Sequence, residues 1–204
     1  IDNTGAKKID GVGFEPDVIK FEITSTNENF DTDTEYYREE WGGGHGFALP
    51  SDNKNLALTV GSGSDSTNGM AAASSDTYSI YQVITHDDGN GINGWIEGYV
   101  SEVNHDGFTL EIDSADQDQY VTYTAYKFEN NADIDVGWFD TATSTGTQSI
   151  TTGFKPNFLM TFAQSNGLTG MGDSLQDSYD NGWGHGIAAN TDSGVEQISM
   201  AVSM

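Results

Sequence analysis

Apolar and polar residues alternate with a period of two along most of this chain. Ile19, Phe21 and Ile23 alternate with Lys20, Glu22 and Thr24, and Leu56, Leu58 and Val60 alternate with Ala57 and Thr59. The same pattern runs through residues 78–84, 95–103, 108–112, 121–128, 158–162 and 198–204. One apolar and one polar face per run is what a half-buried antiparallel strand needs, because successive side chains of a strand point to opposite faces. Between the runs lie Asp88-Gly89-Asn90-Gly91 and the segments 61–68 and 141–146, whose Gly, Asn and Asp supply the left-handed positions of tight turns. No window carries an apolar stripe at helical spacing. The pattern predicts an all-β fold, an antiparallel β-sandwich of two sheets with a jelly-roll-like arrangement.

The chain also resembles itself. Gly13-Phe14-Glu15-Pro16-Asp17-Val18 returns 140 residues later as Gly153-Phe154-Lys155-Pro156-Asn157-Phe158. Gly44-His45-Gly46-Phe47-Ala48 returns at the same offset as Gly184-His185-Gly186-Ile187-Ala188, with Trp41 and Trp183 just upstream. Blocks in the same order at one offset predict two tandem related domains, a β-sandwich repeat over 1–130 and a partial one over 131–204. The period is too long for a solenoid. The second copy lacks a counterpart of residues 95–128. It is expected either to continue in a longer tandem array, the chain opening at Ile1 without an initiator Met, or to borrow strands from a neighbouring subunit.

Charge changes the picture most. The 204 residues carry 32 acidic against 7 basic side chains, six Lys and Arg38, for a net charge of −25. With so few cations to grip a phosphate backbone, nucleic acid is not an expected partner, and neither is an anionic membrane. No apolar run reaches the ~18 residues of a membrane span. Such self-repulsion is relieved where molar salt shortens the Debye length to about 3 Å, so the composition predicts a hypersaline, extracellular setting. An acidic extracellular domain that binds divalent cations is the alternative. Cysteine is absent, which removes disulfides and thiolate metal sites.

Candidate chemistry is sparse. Asp31, Asp33 and Glu35 place carboxylates at alternate positions, Asp87 and Asp88 open a Gly-rich turn, and Asp113, Asp116 and Asp118 gather at another. Calcium takes six to eight oxygens, so these are its candidate ligands and calcium the one candidate cofactor, though no segment matches an EF-hand. Tyr36, Tyr37 and Trp41 flank an acidic loop and could form an aromatic platform for a cell-surface glycan. His45 and His185, each between two glycines, are expected to lie at strand entries beside Trp41 or Trp183 rather than to act as ligands or bases. No Gly-x-Ser-x-Gly elbow and no phosphate-cradling loop followed by Lys occurs, so an enzyme is not expected.

Three blocks taken in order resemble a domain of tailed-virus structural proteins: Gly13-Phe14-Glu15-Pro16, the segment 41–48, and Gly107-Phe108-Thr109-Leu110 followed by Ser114-Ala115-Asp116 and Val121-Thr122-Tyr123-Thr124-Ala125. The first copy carries all of them and the second only the first two. The abundance of Asp and the insertions at 29–40 and 85–93 depart from that pattern. With the acidic charge, the resemblance implies a virion component of a virus of a halophilic archaeon: tail, turret, spike or capsid decoration. The expected partners are further copies of the chain and other virion proteins, meeting through sheet edges and small-residue patches such as residues 69–74. A glycan-recognition module and a cellular surface-layer or filament subunit are the alternatives.

Overall fold

The computed structural model describes residues 4–26, 41–62, 70–85, 92–115, 120–129, 133–140, 144–164, 174–176, 182–191 and 193–203. Thirteen strands are seen among them: β1 (Gly5–Ile9), β2 (Val18–Thr26), β3 (Trp41–Leu49), β4 (Lys54–Ser62), β5 (Met70–Ser75), β6 (Ile80–Thr85), β7 (Ile92–Asn104), β8 (Gly107–Ala115), β9 (Tyr120–Tyr126), β10 (Phe158–Gln164), β11 (Ser174–Gln176), β12 (Gly182–Thr191) and β13 (Gly194–Ser203). Helix among the described residues is limited to 3₁₀ turns, at Pro50–Asp52 and at Asp133. All pairings are antiparallel and form three sheets, ordered β1-β8-β7-β6, β11-β5-β4-β3-β2-β9 and β10-β12-β13.

The first two sheets make the sandwich. Ile19, Phe21 and Ile23 point from β2 into its core, each under 2% exposed, and meet Ile80, Ile96, Phe108, Leu110 and Ile112 of the four-stranded sheet. The alternation expected of β2 is therefore met directly. In β4 the faces are reversed from what residue size suggests. Ala57 and Thr59 lie on the core side, opposite Gly46 and Gly44, while Leu56 and Leu58 share the other face with Phe47 and His45. On β4 that outer face carries leucines where the third sheet comes to lie on it.

Within the sandwich most neighbours are consecutive hairpins, β2 to β5 and β6 to β8, with β1 and β9 added beside β8 and β2. The likeness to a jelly roll thus stops short of its interleaved strand order; the sheets are extended meanders. The 69–74 patch is also placed differently from expectation. Residues 70–75 form β5, which is paired on both sides, by β4 and by β11 from the second half of the chain. A short strand from beyond residue 130 thereby completes a sheet of the first half, so the expected division at 130 does not separate the sheets.

The Gly-Phe-x-Pro segments adopt one conformation twice, with Gly13 at φ +84° and Gly153 at φ +76°, left-handed positions that glycine takes without a Cβ penalty. In the first copy Asp106 holds the turn, accepting the N–H groups of Gly11 and Gly13 at 3.2 and 3.0 Å. Asp17, 8% exposed, accepts Lys127 Nζ at 2.9 Å and the Phe128 N–H at 2.7 Å, which anchors the end of β9. The hairpins that follow also share a register. Leu159↔Ala188, Thr161↔Gly186 and Ala163↔Gly184 in β10–β12 each fall 140 residues after Ile19↔Ala48, Phe21↔Gly46 and Ile23↔Gly44 in β2–β3. Their surroundings differ. The Ile19 face is sealed by the four-stranded sheet, whereas Leu159 on the matching face is 47% exposed.

Candidate functional site

The residues that converge most closely lie between the outer face of the six-stranded sheet and the three-stranded sheet. Strand parity puts Lys20, Glu22, His45 and Phe47 on that outer face, opposite to Ile19, Phe21 and Ile23. The same parity on the β10–β12 hairpin turns Phe162 and His185 toward them. His45 stacks on Phe162 with ring centroids 4.0 Å apart, and lies 6.2 Å from Trp183 and 6.4 Å from His185. Phe47 reaches Phe162 at 5.4 Å, and Lys20 Nζ stands 5.4 Å over the same ring. Lys20 also donates to Glu22 Oε1 at 2.6 Å. A cleft of about 260 Å³ opens between the sheets, walled by Leu58, His45, Phe162 and Trp183, with Glu22 at its margin.

Electrostatics here follow from burial. His45 Nδ1 is enclosed without a hydrogen-bond partner. Burial, with Lys20 and His185 nearby, outweighs the attraction of Glu22 and depresses the imidazole to about 4. Glu22 is held below the usual carboxylate range chiefly by the hydrogen bond from Lys20, against a smaller opposing effect of burial. His45 is therefore neutral at pH 7, packed as a flat aromatic ring.

A pH dependence follows. The unfolded chain takes up a proton on His45 near 6.5, the folded chain only near 4, so between these values the unfolded state binds more protons and stability falls as pH falls. Below about 4 this contribution no longer changes. With the ring only part-buried, solvent screening limits the loss to on the order of 1–2 kcal/mol. Denaturant unfolding of wild type and His45→Phe from pH 7.5 to 4 is expected to converge at high pH and diverge on acidification, the variant keeping the shallower slope.

The residues expected from sequence to carry chemistry are placed as follows. Asp31, Asp33, Glu35, Tyr36, Tyr37, Asp87, Asp88, Asp116 and Asp118 lie outside the described residues. Trp41 begins β3, its backbone opposite Thr26 and Ser62, and only that backbone is described. Asp113 sits within β8 and accepts the Tyr78 hydroxyl at 3.3 Å. Burial, then the charge of Asp113, pushes the Glu97 carboxyl up. Among the described residues no three His, Asp or Glu side chains gather to hold a metal ion.

His45 and His185 are not at strand entries. They lie inside β3 and β12, and the glycines beside them serve close packing rather than a turn. The pairing of His45 with Phe162 spans 117 positions and had no local signal; the repeated Gly-His-Gly block was the one trace of it. No family model, no curated protein and no solved structure matches this chain.

Proposed function

We propose that this protein is a structural component of a virus particle, on the outside of a virion whose host lives in brine, and that it assembles through its sheet edges. One observation carries the reading: the first-half sandwich buries its core, whereas the second half leaves apolar side chains uncovered. Trp138, Phe139, Phe158, Leu159, Ile198 and Met200 are between 47% and 73% exposed. Phe158, Ile198 and Met200 share one face of the three-stranded sheet, and exposed apolar surface of that kind marks a place where something else binds. A carrier of net charge −25 can bring such surfaces together only where salt screens the repulsion. The tailed-virus resemblance supplies the setting, and the short β11 strand completing a sheet remote in sequence supports edge addition as the means.

Light and X-ray scattering across a KCl series test it. Ordered multimers are expected in molar KCl, dissociating and then unfolding as salt is withdrawn, with micromolar calcium unable to substitute. A chain that stays monomeric in molar KCl would overturn the reading, as would one rescued by calcium alone.

A second reading, recognition of a host glycan, draws on the cleft beside Trp183 and Glu22, where an aromatic wall stands next to a carboxylate. Glycan-array binding lost in Trp183→Ala but retained in Trp41→Ala and Tyr37→Ala would favour this cleft over the loop aromatics.

A further inference from the structure

We infer that the outer edge of β13 pairs antiparallel with β13 of a second copy, about a twofold axis at Ser199, joining two three-stranded sheets into one of six strands. The inference rests on the assembly reading above and names the surface it uses. β13 is ten residues long and closes the sheet order β10-β12-β13, so one side of its backbone has no partner among the described residues. An unpaired edge of that length is a template for another strand unless charge, proline or a bulge protects it. β13 holds no proline and one charged residue, Glu196, in a chain of net charge −25. By contrast β1, at the edge of the four-stranded sheet, carries Lys7 and Lys8.

The opposite edge of the same sheet is less open. In β10 the side chains of Met160, Thr161 and Phe162 are half-buried, and Phe162 lies against the six-stranded sheet. Every β13 side chain from Gly194 to Ala201 is exposed, with Val195 at 69% and Ile198 at 73%, so a strand could approach without obstruction.

The first half shows what this edge accepts. β4 holds the position beside β3 that β13 holds beside β12, and the outer edge of β4 is filled by β5 from Ala57↔Ser75 to Ser62↔Met70. In the second half the matching edge is open among the described residues. A second copy of β13 can fill it and be filled in return, which is the self-complementary contact of a closed dimer.

Register follows from the side chains. With Ser199 on the axis, Ile198 lies opposite Met200 of the partner subunit, so apolar pairs flank the axis on the face that carries Phe158 and Ile187, with Glu196 farther out on that same face. The two Glu196 residues then sit about 20 Å apart along the strand direction, beyond a Debye length at physiological salt.

The chain has no cysteine, so single introduced thiols report the contact cleanly. Ser199→Cys, oxidised mildly in molar KCl, is expected to give a disulfide-linked species of twice the 21.9 kDa chain mass, because opposed residues on the axis bring their Cβ atoms about 5 Å apart. Thr161→Cys, on β10, is expected to remain uncrosslinked. Ile198→Lys, free of any cysteine, is expected to weaken dimerisation by at least about tenfold in sedimentation equilibrium.

Multimers in molar KCl with no Ser199→Cys crosslink, or with Thr161→Cys crosslinking equally, would overturn the β13 contact and leave edge assembly standing. So would an Ile198→Lys chain that associates as tightly as wild type. Monomers up to about 1 mM would overturn both.

Discussion

Gly46→Ala is expected to abolish the native sandwich, whereas Gly186→Ala, the same change at the same place in the repeated block, is expected to be tolerated. A Cβ on Gly46 would fall 1.6 Å from the Ser79 carbonyl oxygen and 2.7 Å from its carbonyl carbon. Those are backbone atoms of a residue with no exposed surface, just before β6 and tied by the Ser79 N–H to the Gly98 oxygen at 2.9 Å. Gly46 cannot draw back locally either, because it is paired within its own sheet with Phe21 on one side and Ala57 on the other. Overpacking a core that must move backbone costs about 3 kcal/mol or more, a large share of the stability of an ordinary domain. At Gly186 the nearest atom is the Thr161 hydroxyl oxygen, at 2.8 Å, and the next neighbours stand at 3.6 and 3.7 Å. A side-chain rotation relieves that contact, so the cost stays within about 1 kcal/mol. Urea unfolding in molar KCl, followed by circular dichroism, checks the pair. Equal effects at the two glycines would mean that the repeats are packed alike, against the exposure of Leu159.

That contrast also shows how far the sequence could be read. β2 was legible because Ile19, Phe21 and Ile23 alternate with polar residues and the buried face is the large one. β3 and β12 were not, since their Gly-rich cores carry little strand propensity; pairing on both sides holds them as strands, and the space around Gly46 and Gly184 admits no larger side chain. β5 has no apolar alternation, and its two neighbours hold it in the sheet from either side. In β4 the pattern was visible but its direction was not, because a third sheet makes the leucine face a second interior. The repeat located the histidines as a pair, yet their meeting through Phe162 depends on how one sheet lies on another, which no local spacing encodes.

The same difference between a sealed and an open interface sets the second large effect. Phe108→Ala is expected to lower global stability by about 3–5 kcal/mol, the range for removing a fully buried ring and leaving a cavity. Phe108 has no exposed surface, and its ring meets Phe21 at 6.0 Å and 77° and Tyr123 at 5.1 Å and 84°, edge-to-face contacts that couple β8 to β2 and β9 across the sandwich. Phe162→Ala removes a ring of the same size from the interface with the third sheet, where it is only half-buried between His45, Phe47 and Lys20. Its cost is expected to be about 1–2 kcal/mol. The two changes should also differ in kind. Phe108→Ala shifts the main unfolding transition, while Phe162→Ala leaves that transition in place and uncovers His45, whose titration then returns toward the ordinary histidine range. Thermal unfolding of both variants, with the His45 ring followed by NMR, separates the cases. If Phe162→Ala moved the main transition as far as Phe108→Ala, the third sheet would be an integral wall of the core rather than a layer laid on its outside.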